Sequence, residues 1–546
     1  MPISELYKRA AASKTAANLV AGLAGIIYLI QAIIYAHTSG SNLDEGAYLY
    51  KGLLFASGRY WPYQDYGPWT NHMPLSFLIP GATQVVFPPG LRSGRYFAIF
   101  LGLLLLLGLW IVVRRFGGNW WAAAAVAAIA LNPNVVLVYS IAVSQIITAC
   151  MLIWTLVFTL GHERPTWQII TGAVLAGLTI TTRENILPLL PLLLIYVFWQ
   201  HGFRAGVRAT TAGIITTGII HAIFWPGILS VWAGWLPLNF LSPYGIQGGG
   251  TEIWASNLSL DSRVYSFAQG LRSNFVPLVG MFCFSPLLLF KRVWKSNSNW
   301  KATIFLSTLF WVLFIAHGWA SLWKSYCIFC FSGYLMFFSV IGILSIFIIN
   351  QSIHLEKSRL YTGFSVVMVI LVSTFVGYGS YQQIGPRLLE LPLPRLSGGQ
   401  IKSGSAPLWS YLENLLHIEY KDAKLLLPTL AGFLIATILV LVVLLVTQRF
   451  KVRQGSMQNF GLLTINIILF IGLILSPTPV LIIESEIERC GGDVISTYEQ
   501  VGEYLNQVIP PNSTIYWEAG LSVIPMLYLP GVNFYVPQIN DGYSYR

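Results

Sequence analysis

The sequence predicts an all-α polytopic membrane protein closed by a small outer α/β segment. Three observations carry this. Of 546 residues, 55% are hydrophobic and 10% charged, against roughly 25% charged in an ordinary globular chain, so polar side chains are too few to cover the surface. Apolar runs recur that can cross a hydrocarbon core of ~30 Å, a task for about 20 residues and fewer where neighbouring helices shield them. The charge balance, 32 Lys+Arg against 21 Asp+Glu, is basic. In a chain this apolar, that imbalance fits basic loops at a membrane surface and not a nucleic-acid partner.

Thirteen such runs are read: 17–36, 96–113, 119–139, 141–160, 166–181, 186–200, 210–229, 275–290, 302–317, 326–349, 361–378, 424–447 and 459–480. Lys8, Arg9 and Lys14 precede the first, and no cleavage-site pattern follows it, so it reads as a retained anchor. Residues 73–88 are apolar but short and carry Pro74, Pro80 and Pro88. If they crossed, Arg114, Arg115, Arg204, Arg208, Lys291, Arg292, Lys295, Lys357, Arg359, Arg449, Lys451 and Arg453 would all face outward. As an interfacial or re-entrant piece they leave those loops inside with the N-terminus, as the positive-inside rule prefers. The expectation is a multi-pass protein of the inner (plasma) membrane, N-terminus cytoplasmic and C-terminus outside.

Outer stretches of real length are then 37–95, 230–274, 379–423 and the tail from about 481. Gly248, Gly249 and Gly250 follow no nucleotide-binding strand, which argues against a phosphate loop; 230–274 reads as a loop that closes over a ligand in preference to an inert linker. In the tail, helical periodicity through Tyr498, Val501, Leu505 and Val508 precedes strand-like runs at 514–517 and 532–536. That divides the chain into a membrane domain, 1–480, and an outer α/β segment, 481–546. About 60 residues make a marginal core, so this segment is either cut short or leans on the membrane domain. Five cysteines form no disulfide framework, and Cys327-x-x-Cys330 sits in an apolar run.

The first outer loop opens with Ser41-Asn-Leu-Asp44-Glu45. Leu49, Tyr50, Leu53 and Leu54 then follow at helical spacing, with Gly58 as the stop. Both carboxylates fall in the first turn, where the helix dipole favours their ionised form; capping alone would also place them there. Next come Gly58-Arg-Tyr-Trp-Pro-Tyr63-Gln-Asp65, then Asn71-His72-Met73-Pro74, the short Pro-led apolar piece and Arg95. Further on stand Thr182-Arg183-Glu184-Asn185 and Trp323-Lys324-Ser-Tyr326. This succession resembles the GT-C membrane glycosyltransferases, in particular the protein O-mannosyltransferase and lipid A aminoarabinose transferase branch.

The resemblance implies a GT-C-like fold and an inverting enzyme. A sugar, hexose or pentose, would pass from a polyprenyl-phosphate donor to an acceptor on the outer side of the membrane, the acceptor being a protein, lipid or glycan hydroxyl. Asp44 takes the role of general base, with Glu45 either its hydrogen-bonding support or a capping neighbour. Arg95, Arg183, Lys324 and Tyr326 fall where the family contacts the donor phosphate, and Asp65 and His72 line the same loop. The second outer loop, Val138-Tyr-Ser-Ile-Ala-Val-Ser144-Gln145, lacks the carboxylate that many relatives carry there. No cofactor is therefore expected; a divalent metal has no second acidic motif behind it, leaving His72 with Asp44 or Asp65 as a weak pair. Rival readings are a transporter or flippase, and a non-catalytic relative that only binds polyprenyl lipid. Transporters carry ionisable groups inside their spans; here the charges gather at one outer face, which favours surface chemistry.

Overall fold

The computed structural model describes residues 13–64, 68, 70, 72–233, 236, 238–245, 259–290, 299–323, 332–352, 359–397, 399–449, 460–475, 490–515 and 523–534. The helices run α1 Lys14–Thr38, α2 Leu43–Ala56, α3 Leu75–Val86, α4 Leu91–Gly117, α5 Asn119–Ala130, α6 Pro133–Tyr139, α7 Ser144–Thr159, α8 Thr166–Ile180, α9 Leu189–His201 and α10 Phe203–Ile223. Then follow α11 Leu260–Ser273, α12 Trp300–Trp323, α13 Met336–Ser352, α14 Arg359–Tyr378 and α15 Tyr381–Leu389. Strands β1 Pro392–Ser397 and β2 Gln400–Pro407 lead to α16 Leu408–Leu416, α17 Tyr420–Arg449, α18 Phe460–Leu475, α19 Val494–Val508, β3 Thr514–Ile515 and β4 Asn533–Phe534. The all-α multi-pass membrane architecture expected from the sequence is what forms.

Among the described residues, five helices are long and apolar enough to cross a membrane unaided, and seven spans result when each of two bent pairs counts once. The reading of thirteen is not reached by this measure. Several runs fold as shorter apolar helices, α7, α8 and α18 among them, and 16 residues of helix reach only about 24 Å. The run 119–139 is a broken pair, α5 and α6, bent by 75°. Asn132 starts a new helix there by accepting from the Val135 amide, with Pro133 at the first helical position.

The chain divides into two compact units, Met1–Ala255 with Lys301–His317 and Ser485–Arg546, and Ser256–Trp300 with Gly318–Glu484. In the first, α2 packs on α3 at unusually close range. A Cβ on Gly52 or on Gly81 would overlap the other's backbone, so both crossing points require glycine. The opposite side of α2 is covered by the C-terminal segment. Leu49, Tyr50, Leu53 and Leu54 share one apolar cluster with Val494, Ile495, Ile524 and Leu527. Arg92 holds Glu499 in a two-pronged ion pair at 2.7 and 2.8 Å, Asp493 pairs with His37 at 2.9 Å, and the Cys490 amide donates to the Thr38 carbonyl. The tail thus leans on the membrane helices, and its parallel β3–β4 pair is as short as two residues per strand.

In the second unit, α14 lies along α17 and α18, with Gly377 facing the backbone of Pro428 and Gly432. Asn350 and Asn466 exchange amide hydrogen bonds at 3.2 and 3.3 Å. Arg272 is buried and donates to Gln383 at 2.9 Å. The stretch 379–423, expected to face outward, holds an antiparallel hairpin, β1 with β2, which the sequence reading left undivided. Gly248–Gly250 and Cys327-x-x-Cys330 fall outside the described residues.

Candidate active site

Helix α2 begins where the capping rules put it. The Asn42 side chain accepts from the Glu45 amide at 2.8 Å, and the chain leaves the helix through Gly58 at φ 72°. Because Asn42 is the cap, Asp44 and Glu45 stand in the first turn without capping duty. Their fates differ. Glu45 is fully buried and faces Arg95, also fully buried: Nε donates to Oε1 at 2.9 Å and Nη2 to Oε2 at 2.7 Å. The Ala142 amide donates to Glu45 Oε1 at 2.9 Å. The remaining Arg95 hydrogens go to the carbonyls of Ala36, Ser39 and Gly40. All five guanidinium hydrogens are thereby matched within the protein, so Arg95, expected at the donor phosphate, is engaged here by Glu45 and the main chain. The charge neutralises Glu45 and ties α4 to the turn between α1 and α2.

Asp44 is half-buried on a different stripe of α2, which it shares with Tyr48 and Lys51 at the i, i+4, i+7 spacing of one helix face. Lys51 is fully buried, its ammonium 5.8 Å from the centre of the Phe77 ring. Burial holds its pKa well below 10.5, and the charge of Asp44 pulls the other way. Tyr48 links this face to the next element, since Ser144 Oγ donates to its hydroxyl at 3.2 Å and accepts from Arg183 Nη1 at 2.8 Å. Arg183 Nε donates to Asn185 Oδ1 at 3.3 Å, and Asn185 Nδ2 meets His317 Nε2 at 3.1 Å. A polar line therefore runs from α2 through the start of α7 and the α8–α9 turn to α12.

His72 lies against the same face from another element. The Leu75 amide donates to the Thr181 carbonyl at 3.1 Å, which ties the start of α3 to the end of α8. Tyr63 Oη donates to the His72 carbonyl at 2.7 Å. The His72 ring stacks on Phe77, lies 6.0 Å from the ring of Tyr48, and brings Nδ1 within 3.9 Å of Glu184 Oε1. Burial alone would raise the Glu184 pKa, yet His72 and Arg183 more than offset it and hold the carboxyl below its usual range. Glu184 and His72 keep 29% and 34% of their side chains accessible, so a ligand can reach both.

The structure thus links the α2 face that bears Asp44 to Arg183 through Tyr48 and Ser144, sets His72 beside Tyr48 and Glu184, and pairs Glu45 with Arg95. Asp65, Lys324 and Tyr326 lie outside the described residues. Tyr48, Lys51, Ser144, Asn185, Glu184 and His317 were not singled out as site residues from sequence. The same-face spacing of 44, 48 and 51 was the available signal for two of them, and the Thr182–Asn185 motif for two more. Among the described residues no group of three His, Cys, Asp or Glu side chains is placed to hold a metal; the carboxylate recorded beside His72 is that of Glu184, and Asp65, one of the two expected for it, lies outside the described residues.

A family model described as dolichyl-phosphate-mannose-protein mannosyltransferase matches residues 71–229. That span carries His72, Arg95, Ser144 and the Arg183 turn, so the GT-C resemblance meets a family model on those residues. No curated protein sequence matches the chain. Among solved structures, ArnT from Cupriavidus metallidurans bound to undecaprenyl phosphate is similar at 14% identity, with 96% of this chain and 86% of that one covered and a TM-score of 0.49. The oligosaccharyltransferase of Archaeoglobus fulgidus in its apo form is similar at 12% identity, over 95% of this chain and 64% of that one, with a TM-score of 0.41.

Proposed function

We propose, taking the GT-C glycosyltransferase resemblance of residues 71–229 as the premise, that the chain transfers a sugar from a polyprenyl-phosphate donor to an acceptor hydroxyl at the outer membrane face, with inversion. The observation that carries this is the polar line Tyr48–Ser144–Arg183, which sets a guanidinium beside the α2 face bearing Asp44. The acceptor O–H gives its proton to the Asp44 carboxylate while its oxygen attacks the anomeric carbon. The bond from that carbon to the phosphate oxygen breaks, and its electron pair leaves on the phosphate. Negative charge grows there, and a fixed guanidinium is worth most where charge develops in a recess poor in water. Arg183 fills that role, and Lys324 and Tyr326 are further candidates for it. The phosphate departs unprotonated, so one carboxylate base suffices. Glu45 is unsuited to that task because both its oxygens are held by Arg95 and the Ala142 amide.

Transfer of labelled sugar from a polyprenyl-phosphate donor, measured in membranes holding Asp44→Asn, tests the reading. Loss of a general base costs about 10²–10⁴-fold in turnover, and Asn keeps the side chain's shape. A folded, donor-binding, nearly inactive variant is expected. Transfer at the unmodified rate by Asp44→Asn would remove Asp44 as the base. Analysis of the labelled product separates protein, lipid and glycan acceptors.

A further inference from the structure

We infer that His317 and Asn185 are positioning residues that fix the plane of the Arg183 guanidinium before the donor arrives; this rests on the proposed role of Arg183 toward phosphate. His317 is 2% exposed and sits on α12, far in sequence from everything it serves. Its Nδ1 lies 2.7 Å from the Leu313 carbonyl oxygen, and a carbonyl can only accept. The proton of the neutral ring is therefore on Nδ1, and Nε2 is left with a lone pair alone. Asn185 Nδ2, 3.1 Å away, must be the donor to it. That fixes which end of the amide faces α12, so the other end, Oδ1, faces Arg183 Nε at 3.3 Å and accepts from it. On the other flank Nη1 donates to Ser144 Oγ at 2.8 Å. Two hydrogen bonds from different edges of a planar group determine its plane, and one of them has its direction set by the tautomer of a histidine on another helix.

The consequence for binding follows from the flexibility of arginine. A free arginine side chain samples many rotamers, and holding one in advance removes that ordering cost from the binding step. Without His317 Nε2, the Asn185 amide is free to turn its nitrogen toward Arg183, which replaces an acceptor by a donor against a cation. The guanidinium would then swing toward Ser144. Residues 183, 185 and 317 thus form a support chain in which His317 never touches the ligand.

The test uses the purified full chain in detergent micelles with undecaprenyl phosphate as the probe, reading its dissociation constant and the thermal unfolding of each variant. Arg183→Gln is expected to weaken binding about 10- to 100-fold, as loss of a charge-assisted contact does. His317→Leu and Asn185→Leu should each weaken it about 2- to 12-fold, the range for ordering one rotamer-rich side chain. His317→Gln, whose Oε1 can accept from Asn185, should recover most of the loss. In the Arg183→Gln background His317→Leu should add nothing. Weakening by His317→Leu that is equal with and without Arg183 would overturn the positioning role, as would unchanged binding in His317→Leu alongside a weakened Arg183→Gln. Unchanged binding in Arg183→Gln itself would instead overturn the phosphate role on which the proposal rests. If His317→Leu does not fold, the same cycle between Asn185→Leu and Arg183→Gln decides, with the same outcomes.

Discussion

Fifty positions separate Glu45 from Arg95, and the pair they make behaves unlike Arg183. Arg95 offers its five hydrogens to two carboxylate oxygens and three main-chain carbonyls in a site with no exposure. Removing one member of a buried, hydrogen-bonded ion pair costs about 3–5 kcal/mol because the other charge is left behind. Arg95→Gln and Glu45→Gln are therefore expected to lower the melting temperature sharply, while the fraction that stays folded binds donor normally. Thermal unfolding with donor titration checks this, and a stable Arg95→Gln with weakened donor binding would return Arg95 to the ligand. Arg95 counts with Arg183 among the phosphate candidates in the sequence, since an arginine opening a span reads the same whether it faces a carboxylate or a phosphate. Asp44 and Arg183 were legible because each stands in a recognisable local motif. Ser144 and His317 were not, because a serine in an apolar run and a histidine near a span end acquire meaning only when Arg183 and Asn185, 39 and 132 positions away, come within reach.

The elements were legible where period and length agree. The ends of α1, α8 and α17 lie within a few residues of the runs read for them. The reading failed where hydropathy stays high through a change of direction: 119–139 is apolar throughout, yet bends by 75° at the Asn132 cap. It was also silent on α2 against α3, whose contact depends on two glycines that hydropathy treats as neutral. A Cβ at either crossing point meets backbone, which cannot rotate aside. Overpacking of this kind costs about 1–3 kcal/mol. Gly81→Ala should thus shift α3, and with it His72 and Phe77, away from the Asp44–Tyr48–Lys51 face. The expected result is a lower melting temperature together with a fall in transfer rate larger than the stability loss explains. Gly22→Ala, where no atom lies near the added methyl, is the control and should change neither. Equal behaviour of the two variants would mean that the helix crossing tolerates the methyl.

At the scale of the molecule, the question is which connections share a side of the membrane. At one end of α3, His72 meets Glu184 of the α8–α9 turn, and at the other, the Leu91 amide just past α3 donates to Tyr528 of the tail at 3.0 Å. That tail also grips His37 and Thr38 at the end of α1. Helix α3 therefore leaves and returns on one side of the first unit. Its 12 residues reach about 18 Å, well short of a ~30 Å core. With α3 not crossing, α4 runs away from that side and delivers Arg114 and Arg115 to the opposite one. Arg115 donates there to the carbonyls of Val157 and Leu160 at the far end of α7. By the positive-inside rule that basic side is expected to face the cytoplasm, which predicts that Asp44, Arg183 and the C-terminal segment lie outside. Reporter fusions measure the assignment directly. A fusion after residue 118 is expected to read cytoplasmic, and fusions near residue 90 and after residue 534 to read outer. An outer signal at 118 would require residues 73–88 to cross. The His72–Glu184 pair and the tail's hold on Leu91 would then lie on opposite membrane faces, and the candidate site assembled from α2, the start of α3 and the α8–α9 turn would not exist.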